Sequence, residues 1–398
     1  MSGTSEVVIG IEDLNPPVLA GHADPYPVLN RLRESCPVGH SDTHGGFWNL
    51  FRFADVAAVA ADTGRFSSRD NTIPSEKLPM PAPPIQTDPP QHMQFRQPFL
   101  KRYSPQAILH LAPAIQAKVN QLIDGFIERG TADLTQELFI PYPAYAALKL
   151  MDLPEEDFPT FFQWARQIFS VEQSDEAGAG MFAYFTPLFD QLTGTVADTI
   201  PAIGRNLMID GRAIQPLEFA MLLMTLLLAG LDTTTNASSQ IALLLDEQPD
   251  VRRRLVEDPE MIPGAVEELL RHTTPLPTIA RTATEDVTIG SRTICAGEKV
   301  ALHYMAANHD PDEFTEPDVL ILDRSPNRHL AFGRGPHRCL GMHVARLELQ
   351  VMLTELLRRI PDFVVERDRV VRSGGVTRGV DSLPVRFTPG LRESDPSC

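Results

Sequence analysis

A thiol, an imidazole and three glycines crowd into ten residues, Phe332-Gly333-Arg334-Gly335-Pro336-His337-Arg338-Cys339-Leu340-Gly341, and a long apolar helical pattern starts directly after them. Glycine lets a backbone pass close to a large ligand and adopt positive φ. A cysteine just ahead of a helix has its thiolate favoured by the dipole and by the unpaired N–H groups of the first turn. Cys339 alone would better suit an ordinary buried thiol; the spacing around it points to a sulfur anion held under something flat and bulky. A second chemical stretch interrupts an apolar helix pattern at Ala229-Gly230-Leu231-Asp232-Thr233-Thr234. Gly230 costs that helix on the order of 1 kcal/mol against alanine. A Thr233 hydroxyl bonded to the carbonyl four residues back, that of Ala229, tends to bend it. Small residues at a bend leave a groove where a ligand can lie against the backbone. Two spaced pairs complete the set: His92 and Arg96, four apart on one helical face, and Glu268 and Arg271, three apart and able to pair. Taken singly, these read as solvated polar faces.

A heme iron suits the cysteine loop, because an axial thiolate donates electron density that favours O–O cleavage. The pattern Phe-Gly-x-Gly-x-His-x-Cys-x-Gly resembles the heme-binding loop of the cytochrome P450 superfamily, and the other motifs follow in that family's order from about Pro27 to Phe387. The resemblance implies a mainly α fold with a small β region, a single-domain triangular prism around one buried heme b. Residues 1–26 would be an N-terminal arm and 27–398 the domain. It implies Cys339 as the axial ligand, with Phe332, Gly333, His337 and Gly341 shaping its loop. Ala229 and Gly230 would face the heme, and His92, Arg96, Arg281 and His337 would reach its propionates. Asp232 and Thr233 would deliver protons to bound O2. Glu268, Arg271 and Arg324 would form an ion network supporting the cysteine loop. Leu228, Ala229, Pro277, Ile279 and the 66–86 loop would line an apolar pocket, so the expected substrate is a hydrophobic organic molecule.

The implied reaction is monooxygenation. A peroxide-driven peroxygenase and a heme-thiolate sensor or ligand-binding protein are the rival readings, and the intact Asp232-Thr233 pair disfavours both. The chain carries no flavin or iron–sulfur signature: no Gly-x-Gly-x-x-Gly loop follows a strand, and the cysteines have no cluster spacing. Electrons should therefore come from a ferredoxin with an NAD(P)H-linked reductase. Lys101, Arg102, Arg334, Arg338 and Arg346 are the expected docking patch, because an overall charge of −17 would repel an acidic partner.

Several elements must position these groups. A helix from Pro216 to about Glu247 carries the Ala229–Thr234 stretch, and another runs from Gly341 to about Arg359. Short helices are expected near Pro27–Arg33 and Ala54–Asp62, and longer ones near 105–128, 142–151, 155–171 and 181–203. The last pair is dense in aromatics, Phe158, Phe161, Phe162, Trp164, Phe169, Phe182, Tyr184, Phe185 and Phe189. Seven prolines between 74 and 90 preclude a regular helix there and mark a lid. Strands are expected at 46–51, 281–283, 287–289, 300–304 and 385–387.

The composition is that of a soluble globular chain: 398 residues, 43% hydrophobic and 22% charged. With Lys+Arg 35 against Asp+Glu 52, nucleic acid is a poor partner. Cys36, Cys295, Cys339 and Cys398 show no paired spacing and no leader pattern is visible, which points to a reducing cytoplasm. The apolar run Phe219–Leu231 falls short of the roughly 20 residues a membrane span needs.

Overall fold

The computed structural model describes residues 16–75, 80–167 and 173–393. Cys398, Phe169, Pro79 and most of the expected N-terminal arm lie outside them.

One helix, Pro216–Glu247, organises the rest. It starts at a proline, whose missing N–H costs nothing in a first turn. Gln215 and Glu218 cap it reciprocally, and Gln215 N–H donates to Glu218 at 2.8 Å. It stops at Gln248, before Pro249. Its 32 residues are apolar on most faces, the pattern of a helix surrounded by others. The expectation from Phe219–Leu231 alone understated it: the whole helix is long and apolar enough to cross a membrane. It is instead a core helix, enclosed by helices Pro141–Leu150, Ser174–Gln191, Ile262–Thr273 and Met342–Arg359. Their side chains form the main apolar cluster, including Leu223, Leu227, Leu231, Leu269, Leu349 and Met352.

A smaller cluster packs against a five-stranded sheet. Its order is Val38–Ser41, Phe47–Leu50, Lys299–His303, Thr278–Ala283, Phe66–Ser67, with one parallel pairing between the second and third. Register Val300↔Arg281 fixes where the Arg281 side chain emerges. Among the described residues, a three-stranded sheet and three two-stranded hairpins complete the β content. Tyr304 opens a short helix instead of ending a strand.

Two helices differ from expectation. The stretch 105–128 breaks into Pro105–Ile108, a 3-10 turn and Ala112–Asp124, with Pro113 in the first turn of the last piece. The 181–203 stretch starts earlier, as Ser174–Gln191, and ends at a turn around Gly194 (φ +78°) before a separate Ile200–Arg205. Gly180 lies inside that helix, not before it: a Cβ there would sit 2.6 Å from Trp164 Nε1, so the glycine makes room for an indole. Pro16–Gly21, inside the stretch read as an arm, is helical, and its Leu19 is buried with Leu29, Leu32 and Phe51.

The proline-rich segment holds no helix between Ser68 and Pro90 among the described residues. Its base is pinned. Asp88 accepts from Ser67 Oγ (2.6 Å) and Ser68 N–H (2.7 Å), Gln86 donates to Asn71 (3.1 Å), and Lys299 Nζ holds the Thr72 carbonyl and Ser75 hydroxyl at 2.6 Å.

Candidate active site

The cysteine loop is tightly folded. Gly333 (φ +65°) and Gly335 (φ +72°) take left-handed conformations that other residues adopt only under strain. At Gly335 a Cβ would also fall 2.6 Å from Ala61 Cα, so the loop presses on helix Phe53–Ala61. Cys339 N–H donates to the Phe332 carbonyl (2.8 Å) and Gly333 N–H to that of Leu330 (2.8 Å). Burial pushes the Cys339 thiol up; the Gly341 N–H and the guanidiniums of Arg96, Arg346 and Arg338 pull the other way. A Cβ on Gly341 would meet nothing within 4 Å.

Beside this loop lies an unusual set of orphans. Both ring nitrogens of His92, Nε of Arg281 and Nε2 of His337 are buried without a hydrogen-bond partner. The two rings tilt together, with centroids 4.1 Å apart. Burial, then neighbouring cations, hold the His92 imidazolium down to about 4 and that of His337 to about 3. A buried polar group without a partner costs about 1–3 kcal/mol. Neutral imidazole N–H groups gathered around an Arg281 guanidinium, all without partners, suit an anion. The two carboxylates of a heme would satisfy them, so the residues fit the expected group. Arg96 comes to the same loop by another route, donating to the Arg338 carbonyl.

Midway along, the central helix is open where the rest of it is mostly buried. Ala229 and Gly230 are exposed in the middle of an otherwise largely buried helix, and a Cβ on Gly230 would meet nothing within 4 Å. Thr233 Oγ1 donates to the Ala229 carbonyl at 2.8 Å, as the spacing predicts. Asp232 turns elsewhere: Oδ1 accepts from Asn236 Nδ2 (2.6 Å) and Oδ2 from Thr377 Oγ1 (2.7 Å). Burial pushes its carboxyl up to about 6, against those two hydrogen bonds. Of the expected pocket residues, Leu228 packs on the helical cluster and Ile279 on the sheet cluster, both half-buried, while Pro277 is buried.

The ion network is buried throughout. Arg271 Nε and Nη2 each donate to Glu268 at 2.8 Å, and Arg324 Nε reaches the same carboxylate at 3.0 Å. Asn327 Nδ2 and Ile321 N–H, both 3.1 Å away, saturate it; neither is recognisable from the sequence motif. A second bridge runs alongside. Burial would raise the Glu267 carboxyl, but hydrogen bonds from Arg346 (2.7 Å) and His329 (3.2 Å) bring it down to about 2. Arg346 also lies 4.6 Å over the Phe332 ring.

That bridge corrects the expected docking patch. Arg346 is committed to Glu267, Lys101 pairs with Asp198, and Arg102 pairs with Asp152. Lys101 and Arg102 do not end the helix bearing His92, which stops at Arg96 ahead of Pro98. Among the described residues only Arg334 and Arg338 of the five are outside an ion pair with a carboxylate.

Sequence reasoning missed one buried acid. Glu348, on helix Met342–Arg359, is pushed up to about 8 by burial, opposed by a hydrogen bond from Thr234. The signal was a charge on the buried stripe Val344–Glu348–Met352. Its pKa is raised above the unfolded value near 4.5, so the folded state holds a proton the unfolded state has released. Between those values stability falls by about 1.4 kcal/mol per pH unit. Glu348→Gln should flatten that fall, read from denaturant midpoints of the holoprotein at about pH 5 and about pH 7.5. Parallel pH dependences for parent and variant would remove the assignment.

The cytochrome P450 family model matches residues 206–369. Over 387 residues the chain is 36% identical to cytochrome P450 130 of Mycobacterium tuberculosis, covering 92% of this chain and 95% of that one. It is 32% identical to the vitamin D(3) 25-hydroxylase of Pseudonocardia autotrophica, over 92% and 94%. The fold superposes on HmtN, a post-tailoring hydroxylase of himastatin biosynthesis, with a TM-score of 0.85 at 30% identity, covering 94% of this chain and all of that one.

Proposed function

The chain belongs to the cytochrome P450 family of heme monooxygenases, and from that premise we propose its specific working parts. It inserts one oxygen atom of O2 into a hydrophobic organic substrate, with electrons from a separate ferredoxin and its NAD(P)H-linked reductase, in the cytoplasm. The observation that carries this reading is the orphaned His92–Arg281–His337 set beside the Cys339 loop, two neutral imidazoles and one guanidinium that suit the two carboxylates of heme. Cys339 holds the iron, with Gly341 N–H and the nearby guanidiniums stabilising its thiolate charge. Bound heme supplies O2 activation and oxygen transfer.

The remaining steps belong to the central helix. Thr233, already donating to Ala229, keeps two lone pairs and can accept a proton-bearing partner from the groove. Asp232, with its carboxyl raised to about 6, can take and release protons near neutrality. These are the groups a two-proton reduction needs, and a peroxygenase or sensor does not. Apolar flanks at Leu228 and Ile279 suit a bulky hydrophobic substrate. Arg334 and Arg338, on the loop that bears Cys339, are the charges an acidic ferredoxin would meet.

Reconstitution with NADH, reductase and ferredoxin over a library of terpenoid, aromatic, fatty and polyketide compounds tests the reading. Product should form with near-parental heme content, and raised ionic strength should raise the ferredoxin KM without altering substrate binding. Thr233→Ala should keep heme and substrate binding while most NADH electrons go to hydrogen peroxide. Parental coupling in that variant would assign proton delivery to another group, and absence of product with every ferredoxin would return the sensor reading.

A further inference from the structure

Asp232 is held by neutral partners on both oxygens, and one of them comes from far along the chain. Thr377 Oγ1 donates to Oδ2 at 2.7 Å, and Asn236 Nδ2 donates to Oδ1 at 2.6 Å. Asn236 Nδ2 also reaches Thr377 Oγ1 (2.9 Å), closing a triangle. Thr377 is buried, on the turn between strands Val371–Ser373 and Gly379–Ser382. That turn is stitched to the central helix twice more, by Val380 N–H on Asn236 Oδ1 (3.1 Å) and Gln240 Nε2 on the Arg378 carbonyl (3.1 Å).

Among the described residues, no cation faces this carboxylate. Arg378, next to Thr377, turns its guanidinium to the carbonyls of Thr273 and Ala23. The charged group that does face it is Asp381, a like charge, itself bonded by Ser373 Oγ at 2.6 Å. Glu348, on the helix packed behind, bonds Thr234 instead. An ionised carboxyl in such a place depends on its hydrogen bonds, since nothing else offsets burial. Thr233, meanwhile, spends its proton on Ala229, so neighbouring acid and alcohol bond to different partners.

We propose that Thr377 is a positioning residue for proton delivery: its hydroxyl holds the resting Asp232 carboxylate ionised and turned from Thr233, and Asp232 must release it to carry a proton. This rests on the relay role given to Asp232 above. The threonine hydroxyl donates one proton and accepts from Asn236, so it can hand its donor bond to a water without being left unpaired. A short C-terminal turn thereby sets both the protonation and the direction of an acid on the central helix.

Infrared spectroscopy of the holoenzyme reads this without any substrate. The protonated-carboxyl band absent from Asp232→Asn identifies Asp232, and the band absent from Glu348→Gln identifies Glu348. In Thr377→Val the Asp232 midpoint should move up by about 0.5–1 pH unit, the loss of one hydrogen bond to the charged form. Thr377→Ser, which keeps the donor, should titrate like the parent. The pH profile of NADH-driven oxygen consumption with ferredoxin and reductase should shift by the same amount. If Thr377→Val cannot be loaded with heme, Thr377→Ala takes its place. An unshifted midpoint in a valine or alanine variant that retains heme overturns the proposal. If Asp232→Asn keeps the parental pH profile, the relay itself is wrong and the Thr377 role falls with it; a profile lost in Asp232→Asn but unchanged in Thr377→Val overturns the Thr377 role alone.

Discussion

Cys339→Ser should abolish ferredoxin-driven turnover and remove the red-shifted Soret band of the reduced CO complex, while Cys36→Ser and Cys295→Ser keep both. The expectation follows from where each sulfur sits. Cys295 is exposed and Cys36 half-buried at the end of a helix, and neither borders the orphaned donors. Cys339 lies on the loop folded by Gly333 and Gly335, with the Gly341 N–H and three guanidiniums acting on its charge. Serine keeps the shape of that loop but ionises far less readily than a thiol, so little anionic ligand would be present near neutrality. Electron donation to the iron, which favours O–O cleavage, would be lost with it. The propionate contacts proposed for His92, Arg281 and His337 would not involve the sulfur, so some heme should still bind. Heme content and CO spectra of the three serine variants decide the matter. A parental spectrum from Cys339→Ser would sink the ligand assignment.

How much of this site was legible in the sequence depends on the range of the interaction. Thr233 bonding Ala229 and Arg271 bonding Glu268 are fixed by helical spacing, and the structure shows both. Turn geometry is equally local, as Gly333 and Gly335 demonstrate. Partners across the chain were not legible. Thr377 meets Asp232 from 145 positions away, and Asn327 meets Glu268 from 59. Ion pairs of the basic residues were hidden for the same reason: the partners of Lys101 and Arg102, Asp198 and Asp152, are distant in sequence. The start of the expected 181–203 helix was misplaced for a different reason. Gly180 lies inside the helix, because a glycine that accommodates Trp164 can stay helical when packing outweighs a propensity cost of about 1 kcal/mol.

Arg271→Ala should destabilise the protein by about 3–5 kcal/mol, the cost of leaving a buried charge without its partner. Arg271 and Glu268 are both fully buried, so water cannot replace the lost guanidinium. Arg324 and Asn327 would remain on Glu268, but the two donors at 2.8 Å would be gone. The damage should spread toward the cysteine loop along a traceable path. Arg271 Nη1 donates to the Asn308 carbonyl (2.7 Å), Asn308 Oδ1 accepts from Leu330 N–H (2.6 Å), and the Leu330 carbonyl accepts from Gly333 N–H (2.8 Å). Heme retention should therefore fall together with the unfolding midpoint. The double variant Glu268→Leu/Arg271→Met separates charge from packing. Removing both ions eliminates the uncompensated carboxylate, so the pair should cost less than Arg271→Ala alone. Arg324→Ala should cost less as well, because its other donors serve the backbone carbonyls of Thr315, Glu316 and Val319 and the Arg271 pair stays on Glu268. Guanidinium midpoints and heme-loss rates for the four proteins give the ranking. If Arg271→Ala unfolds within about 0.5 kcal/mol of the parent, the network is decoration on a scaffold held by the apolar core alone.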